Sequence, residues 1–139
     1  MSESHRLEKR RPGRSLRILV ADDDRDEVVM LSTLLQQEGH EVLEVYQGDA
    51  VYGLVRRYKP DAVLLDLGMP EMTGIEIAKQ LVNDLGANCP LLVASTGWKQ
   101  AAARRLGELA GFKHYLTKPY SIDELLDLLA PLRLAGPGV

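Results

Sequence analysis

The sequence predicts an α/β fold: a doubly wound parallel sheet of five strands alternating with five helices. Three observations predict it. Apolar runs of strand length recur along the chain, and stretches with helical apolar spacing fill the gaps between them. Three of the five strand runs are nearly unbroken in their apolar character, as expected of parallel strands covered on both faces.

The elements follow in order. Arg17–Ala21 reads as the first strand, and Val28, Leu31 and Leu35 repeat at helical spacing after it, with Gly39 as a stop. Glu41–Val45 is the second strand. Leu54 and Val55 mark a short helix ended by the turn at Lys59-Pro60. Ala62–Asp66 is the third strand, and Ile75, Ala78 and Val82 mark the helix after it, opened by the capping pair Thr73 and Glu76. Pro90–Ser95 is the fourth strand. Leu106 and Leu109 suggest a weakly apolar fourth helix, ended by Gly111, that contains Ala101-Ala102-Ala103-Arg104-Arg105. His114–Thr117 is the fifth strand. Ile122, Leu125, Leu126 and Leu129 mark a fifth helix, opened by Ser121 and Glu124. Right-handed crossovers leave two plausible strand orders, of which 2-1-3-4-5 is the common five-stranded one.

The chain of 139 residues has room for one ordinary domain. Its 45% hydrophobic and 27% charged content suits a soluble protein with a proper core. No apolar run is long enough to span a membrane, and no secretory signal opens the chain. One cysteine, Cys89, rules out an internal disulfide and reads as a buried bystander. Together these place the protein in the cytoplasm as an expectation.

The net charge of -3 is unevenly spread. Residues 1–17 carry a local balance of +4, which leaves -7 for the remainder. Residues 1–15 are expected to form a basic, disordered arm, 16–132 the globular domain, and 133–139 a flexible tail. The arm lacks aromatic residues and an apolar face, which speaks against a nucleic-acid or lipid-binding element. Nucleic-acid binding by the acidic body would oppose its own charge.

In such sheets the working groups gather beyond the carboxyl ends of the strands, near the switch in strand order. The first strand runs into Asp22-Asp23-Asp24, the third ends in Asp66, the fourth in Ser95-Thr96 and the fifth in Thr117-Lys118-Pro119. Carboxylates packed this closely repel, and a hard divalent cation with oxygen ligands relieves them. Magnesium fits that description, and an ionised Asp66 beside it can act as an oxygen nucleophile. Lys118 would offset charge on a transferred phosphoryl group, and Thr96 could donate to one of its oxygens. Singly the residues have plainer readings. Three aspartates before a helix suit its cap and first turn, Thr96 alone suits a turn, and Lys118 alone suits solvent. Their placement at four neighbouring strand ends argues for chemistry.

The stretches Ile18–Asp24, Leu65–Pro70 with Gly74 following, Ser95-Thr96-Gly97 and Lys118-Pro119 resemble, as an ordered set, the receiver domain of two-component signalling. The likeness spans roughly residues 16–131 and is closest to the single-domain, chemotaxis-type architecture with its flavodoxin-like (βα)5 fold. It implies that Asp66 is the phosphoacceptor and that Asp22 and Asp23 form the acidic pair. Asp23 and Asp66 would be direct Mg2+ ligands, with the backbone carbonyl of Gly68 as the third. Thr96 would be the switch hydroxyl, Lys118 the phosphate-pairing lysine and Tyr115 the aromatic residue that changes rotamer. A cis peptide is expected at Lys118-Pro119. Gly68 and Trp98 occupy positions that tune phosphoryl lifetime in similar proteins.

The expected partners are a histidine kinase or histidine phosphotransfer protein as donor and a downstream protein target, in a two-component system or phosphorelay. Such a phosphoprotein is a switch, an enzyme only towards its own phosphorylation and dephosphorylation. Alternatives are a receiver segment of a hybrid histidine kinase, or a Mg-dependent phosphohydrolase with an aspartyl nucleophile. The second lacks the acid expected two residues after its nucleophile, where Gly68 stands. A flavin or nucleotide carrier on a similar sheet would set three aspartates against a phosphate. A receiver kept as an unphosphorylated scaffold would not need the full acidic, hydroxyl and lysine set.

Overall fold

The computed structural model describes residues 13–69, 74–97 and 110–134. Five parallel strands form one sheet: β1 Arg17–Ala21, β2 Glu41–Val45, β3 Ala62–Asp66, β4 Leu91–Thr96 and β5 His114–Thr117. Their spatial order is β2-β1-β3-β4-β5. This is the common order expected from the sequence, and β4 lies one residue further along the chain than expected. Four helices are described: α1 Arg25–Gln37, α2 Val51–Tyr58, α3 Gly74–Leu85 and α4 Ile122–Leu134. The weakly apolar helix around Leu106 and Leu109, the Thr73 cap and Trp98 lie outside the described residues.

Successive strand side chains point to opposite faces, so an unbroken apolar strand supplies two cores. In β1, Leu19 and Ala21 join Val63, Leu65, Leu92 and Ala94 beneath α2 and α3. Ile18 and Val20 join Leu64, Val93 and Leu116 beneath α1 and α4. The edge strand β2 is less buried, which explains why its sequence alternates more than β1, β3 and β4 do.

Helix faces follow the 3.6-residue period. In α3 the buried stripe is Gly74, Ile77, Ala78 and Leu81. Of the three residues that marked this helix, Ala78 lies in the stripe, Ile75 packs at the margin of the core and Val82 is 39% exposed. A run of apolar residues at 75, 77, 78, 81 and 82 leaves the stripe's centre ambiguous by one position, and the sheet decides it. Val82 instead lies against Gly111, where an added Cβ would sit 2.5 Å from its Cγ2. Gly111 also has a φ of 105°, a region side chains rarely adopt. Gly111→Ala is expected to lower stability by about 1–3 kcal/mol, read from chemical denaturation.

Residues 13 and 14 fall in the expected arm, and 133 and 134 in the expected tail, yet Gly13, Arg14 and Arg133 are tied together at the base of the sheet. Helix α4 continues through Arg133, which is buried. Its guanidinium donates to the carbonyls of Arg14 (2.9 Å) and Gly13 (3.2 Å), and the Arg14 N–H donates to the Arg133 carbonyl at 2.9 Å. Arg14 also pairs with Asp61 at 3.0 Å. A cation in the last turn of a helix also suits the dipole there. Among the described residues no helix is long and apolar enough to cross a membrane.

Candidate functional site

The parallel register assembles the site. Asp66 is the last residue of β3 and pairs with Ser95 of β4, while Ala21, the last of β1, pairs with Leu65. Asp22 therefore emerges beside Asp66. One step beyond Ser95, Thr96 pairs with Thr117, so Lys118 leaves β5 at the same end. The Lys118 N–H donates to the Thr96 carbonyl at 2.9 Å, which holds that strand end in place. The peptide between Lys118 and Pro119 is cis, as expected from the sequence.

The three consecutive aspartates divide their work. Asp24 is the N-cap of α1, its side chain accepting from the Glu27 N–H at 3.2 Å. Asp22 is 5% exposed, and its Oδ1 accepts the Asp24 N–H at 3.1 Å. Asp22, Asp23 and Asp66 each offer a carboxylate oxygen within 4.8 Å of the others. The plain capping reading thus holds for one aspartate and the clustered reading for two. Asp24→Ala is expected to cost about 1 kcal/mol of stability while leaving cation binding by the other two intact. Thermal melting with and without Mg2+ separates those effects.

Lys118 is the cation of the cluster. Its Nζ lies 2.7 Å from Asp22 Oδ2, 3.3 Å from Glu27 Oε2 and 3.9 Å from Asp66 Oδ1. Burial pulls its ammonium down, but the hydrogen bond to Asp22 and the charges of Asp66, Asp22 and Glu27 outweigh this and hold it above the usual lysine range. The Asp66 carboxyl is pushed up, first by burial and then by the Asp22 charge. The Gly68 N–H, donating to Asp66 Oδ1 at 3.2 Å, and Lys118 work in the opposite direction.

The donor set fits a hard divalent cation. It consists of carboxylate oxygens without nitrogen or sulfur, and Lys118 alone does not balance Asp22, Asp23, Asp66 and Glu27. Leu67 and Gly68 follow Asp66 in a turn, and the N-terminus of α3 returns against it. An added Cβ on Gly74 would meet the Asp66 carbonyl oxygen at 2.8 Å and Leu67 Cα at 3.0 Å. That close approach needs glycine at 74.

Two further expected residues lie on the strands that end at this cluster. Thr96 is buried at the end of β4. Tyr115 is half-buried in β5, its ring 6.2 Å from that of Phe112 and packed against the core beneath α2 and α3. Cys89, expected to be buried, is only partly buried. Sequence reasoning missed Glu27. Its available signal was its position three residues after Asp24, which pointed to a capping role and not to Lys118.

A family model described as the response regulator receiver domain matches residues 18–130. Protein PilH of Pseudomonas aeruginosa is 34% identical over 120 residues, covering 86% of this chain and 98% of PilH. Response regulator MprA of Mycobacterium sp. strain KMS is 37% identical over 123 residues, covering 88% of this chain and 53% of MprA. The chain therefore spans nearly the whole of one relative and about half of the other. Among solved structures, the receiver domain of the Francisella response regulator 1452 superposes with a TM-score of 0.79 at 26% identity, covering 86% of this chain and 97% of that one. These matches favour a receiver over an aspartyl-nucleophile phosphohydrolase.

Proposed function

The chain belongs to the response regulator receiver family, and from that premise we propose that Asp66 accepts a phosphoryl group from a phosphohistidine donor and so switches the binding of a partner protein. The observation that carries this reading is the convergence of Asp22, Asp23, Asp66 and Lys118 at neighbouring strand ends.

Asp23, Asp66 and the backbone carbonyl of Gly68 would hold Mg2+, with Asp22 beside them. Bound there, the ion would offset the charge of the carboxylates and of the phosphoryl oxygens. The chain's own residues do the rest. An oxygen of the ionised Asp66 carboxylate forms the bond to phosphorus as the bond to the donor's imidazole nitrogen breaks, and that electron pair stays with the imidazole. The Gly68 N–H on Asp66 Oδ1 orients the carboxylate. Lys118, 3.9 Å from Asp66, moves onto the phosphoryl oxygens.

The product adds roughly -1.5 to -2 charges and new acceptor oxygens at Asp66. Thr96 would donate to one of them, and Tyr115 would repack at the neighbouring edge of the sheet. Partner binding would then respond at the face formed by β5 and the segment before it. The donor would be a histidine kinase or phosphotransfer protein and the reader a downstream protein, with the site working in the cytoplasm.

The test is labelling of the purified protein with an acyl phosphate. Label is expected with Mg2+, its loss with a chelator, and its restoration by added Mg2+. Mg2+ alone should also raise the melting temperature. Labelling that ignores the cation would overturn the assignment.

A further inference from the structure

Helix α1 opens with the pattern Asp24-Arg25-Asp26-Glu27, in which Glu27 stands three residues after the cap. A glutamate there ordinarily reaches back to the N–H of the capping residue and closes a reciprocal box. Half of that box forms, since Asp24 accepts from the Glu27 N–H. The other half does not. The Asp24 N–H is already taken by Asp22 Oδ1 at 3.1 Å, which leaves the Glu27 carboxylate for Lys118 Nζ at 3.3 Å. Glu27 lies outside the trio of carboxylates clustered for a cation. Its hold on Lys118 would therefore not compete with a cation drawn to Asp22, Asp23 and Asp66.

We propose that Glu27 is a positioning residue that tethers the Lys118 ammonium on the α1 side of the site in the resting protein, and that this tether opposes transfer of Lys118 onto the phosphoryl group. The inference rests on Asp66 being the phosphoacceptor. In the resting state Lys118 is closer to Glu27 than to Asp66. Phosphorylation reverses the balance, because the new dianionic group outweighs a single carboxylate. Glu27 thus sets how much of the lysine's attraction is left over to stabilise the phosphorylated form.

The lifetime of the phosphoryl group tests this, measured after labelling with an acyl phosphate and Mg2+. Glu27→Gln keeps the shape of the side chain and removes its charge. It is expected to lengthen the lifetime about threefold, the range of a partly exposed ion pair. Glu27→Asp retains the charge but falls short of Lys118, and is expected to follow Gln. In a Lys118→Met background the same Glu27→Gln change should have no effect, since the tether has lost its cation. A purely structural role at the start of α1 would persist in that background.

An unchanged lifetime in Glu27→Gln, or an equal effect with and without Lys118, would overturn the tether while leaving Asp66 as the acceptor. Failure of the unsubstituted protein to take label with Mg2+ would instead overturn both.

Discussion

Asp66→Asn protein is expected to take up no label from an acyl phosphate or a phosphohistidine donor, and to melt no lower than the unsubstituted protein without Mg2+. The two halves have separate causes. Asparagine matches aspartate in shape but carries no anionic oxygen, so no bond to phosphorus forms. Its amide oxygen still accepts the Gly68 N–H that now binds Asp66 Oδ1. The stability half follows from the environment. Burial and the Asp22 charge both push the Asp66 carboxyl up, so the folded protein tolerates its ionised form poorly without a cation. A neutral side chain removes that repulsion. Radiolabel incorporation and a melting curve check both halves, and label that persists in this variant sinks the assignment.

Lys118→Met is expected to weaken the resting, metal-free protein and to increase its response to Mg2+. The substitution leaves Asp22 buried without the ammonium that now sits 2.7 Å away. Losing one partner of a fully buried pair costs about 3–5 kcal/mol. Lys118 keeps 25% of its side chain exposed, so about 1–2 kcal/mol is the expected loss here. Lysine and a divalent cation also compete for the same carboxylates. Removing the lysine should therefore tighten Mg2+ binding, measured by calorimetric titration. Labelling is expected to slow about tenfold, because the phosphoryl oxygens lose a charge-assisted donor. Tighter Mg2+ binding with slower labelling is a combination that general unfolding would not produce.

Much of this site was legible from local patterns. The apolar runs that end in Asp22, Asp66, Thr96 and Lys118 are strands, and each residue lies at or just beyond its strand's end. Where the pattern was locally degenerate, it located the helix but not the centre of its buried stripe. Ile75 and Val82 have helical spacing with Ala78, yet the buried stripe of α3 runs through Ile77 and Leu81. The tail was expected to begin at 133 because glycine and proline follow, whereas α4 runs to Leu134 and Arg133 donates to carbonyls at the other end of the domain.

The sequence by itself determined the number of strands and their alternation with helices along the chain, because strand and helix periods are local properties written every two or 3.6 residues. It also placed the chemical groups at strand ends, since each apolar run stops at the residue that must meet water or ligand. Only the tertiary structure decided between the two strand orders left open, and how neighbouring charges were shared. Asp22 lies 96 residues from Lys118, and Glu27 lies 91. Asp22 takes the backbone donor of Asp24, and through that competition Glu27 is released to the lysine. Such a division depends on which acceptor reaches a donor first in three dimensions, and spacing along the chain does not encode it.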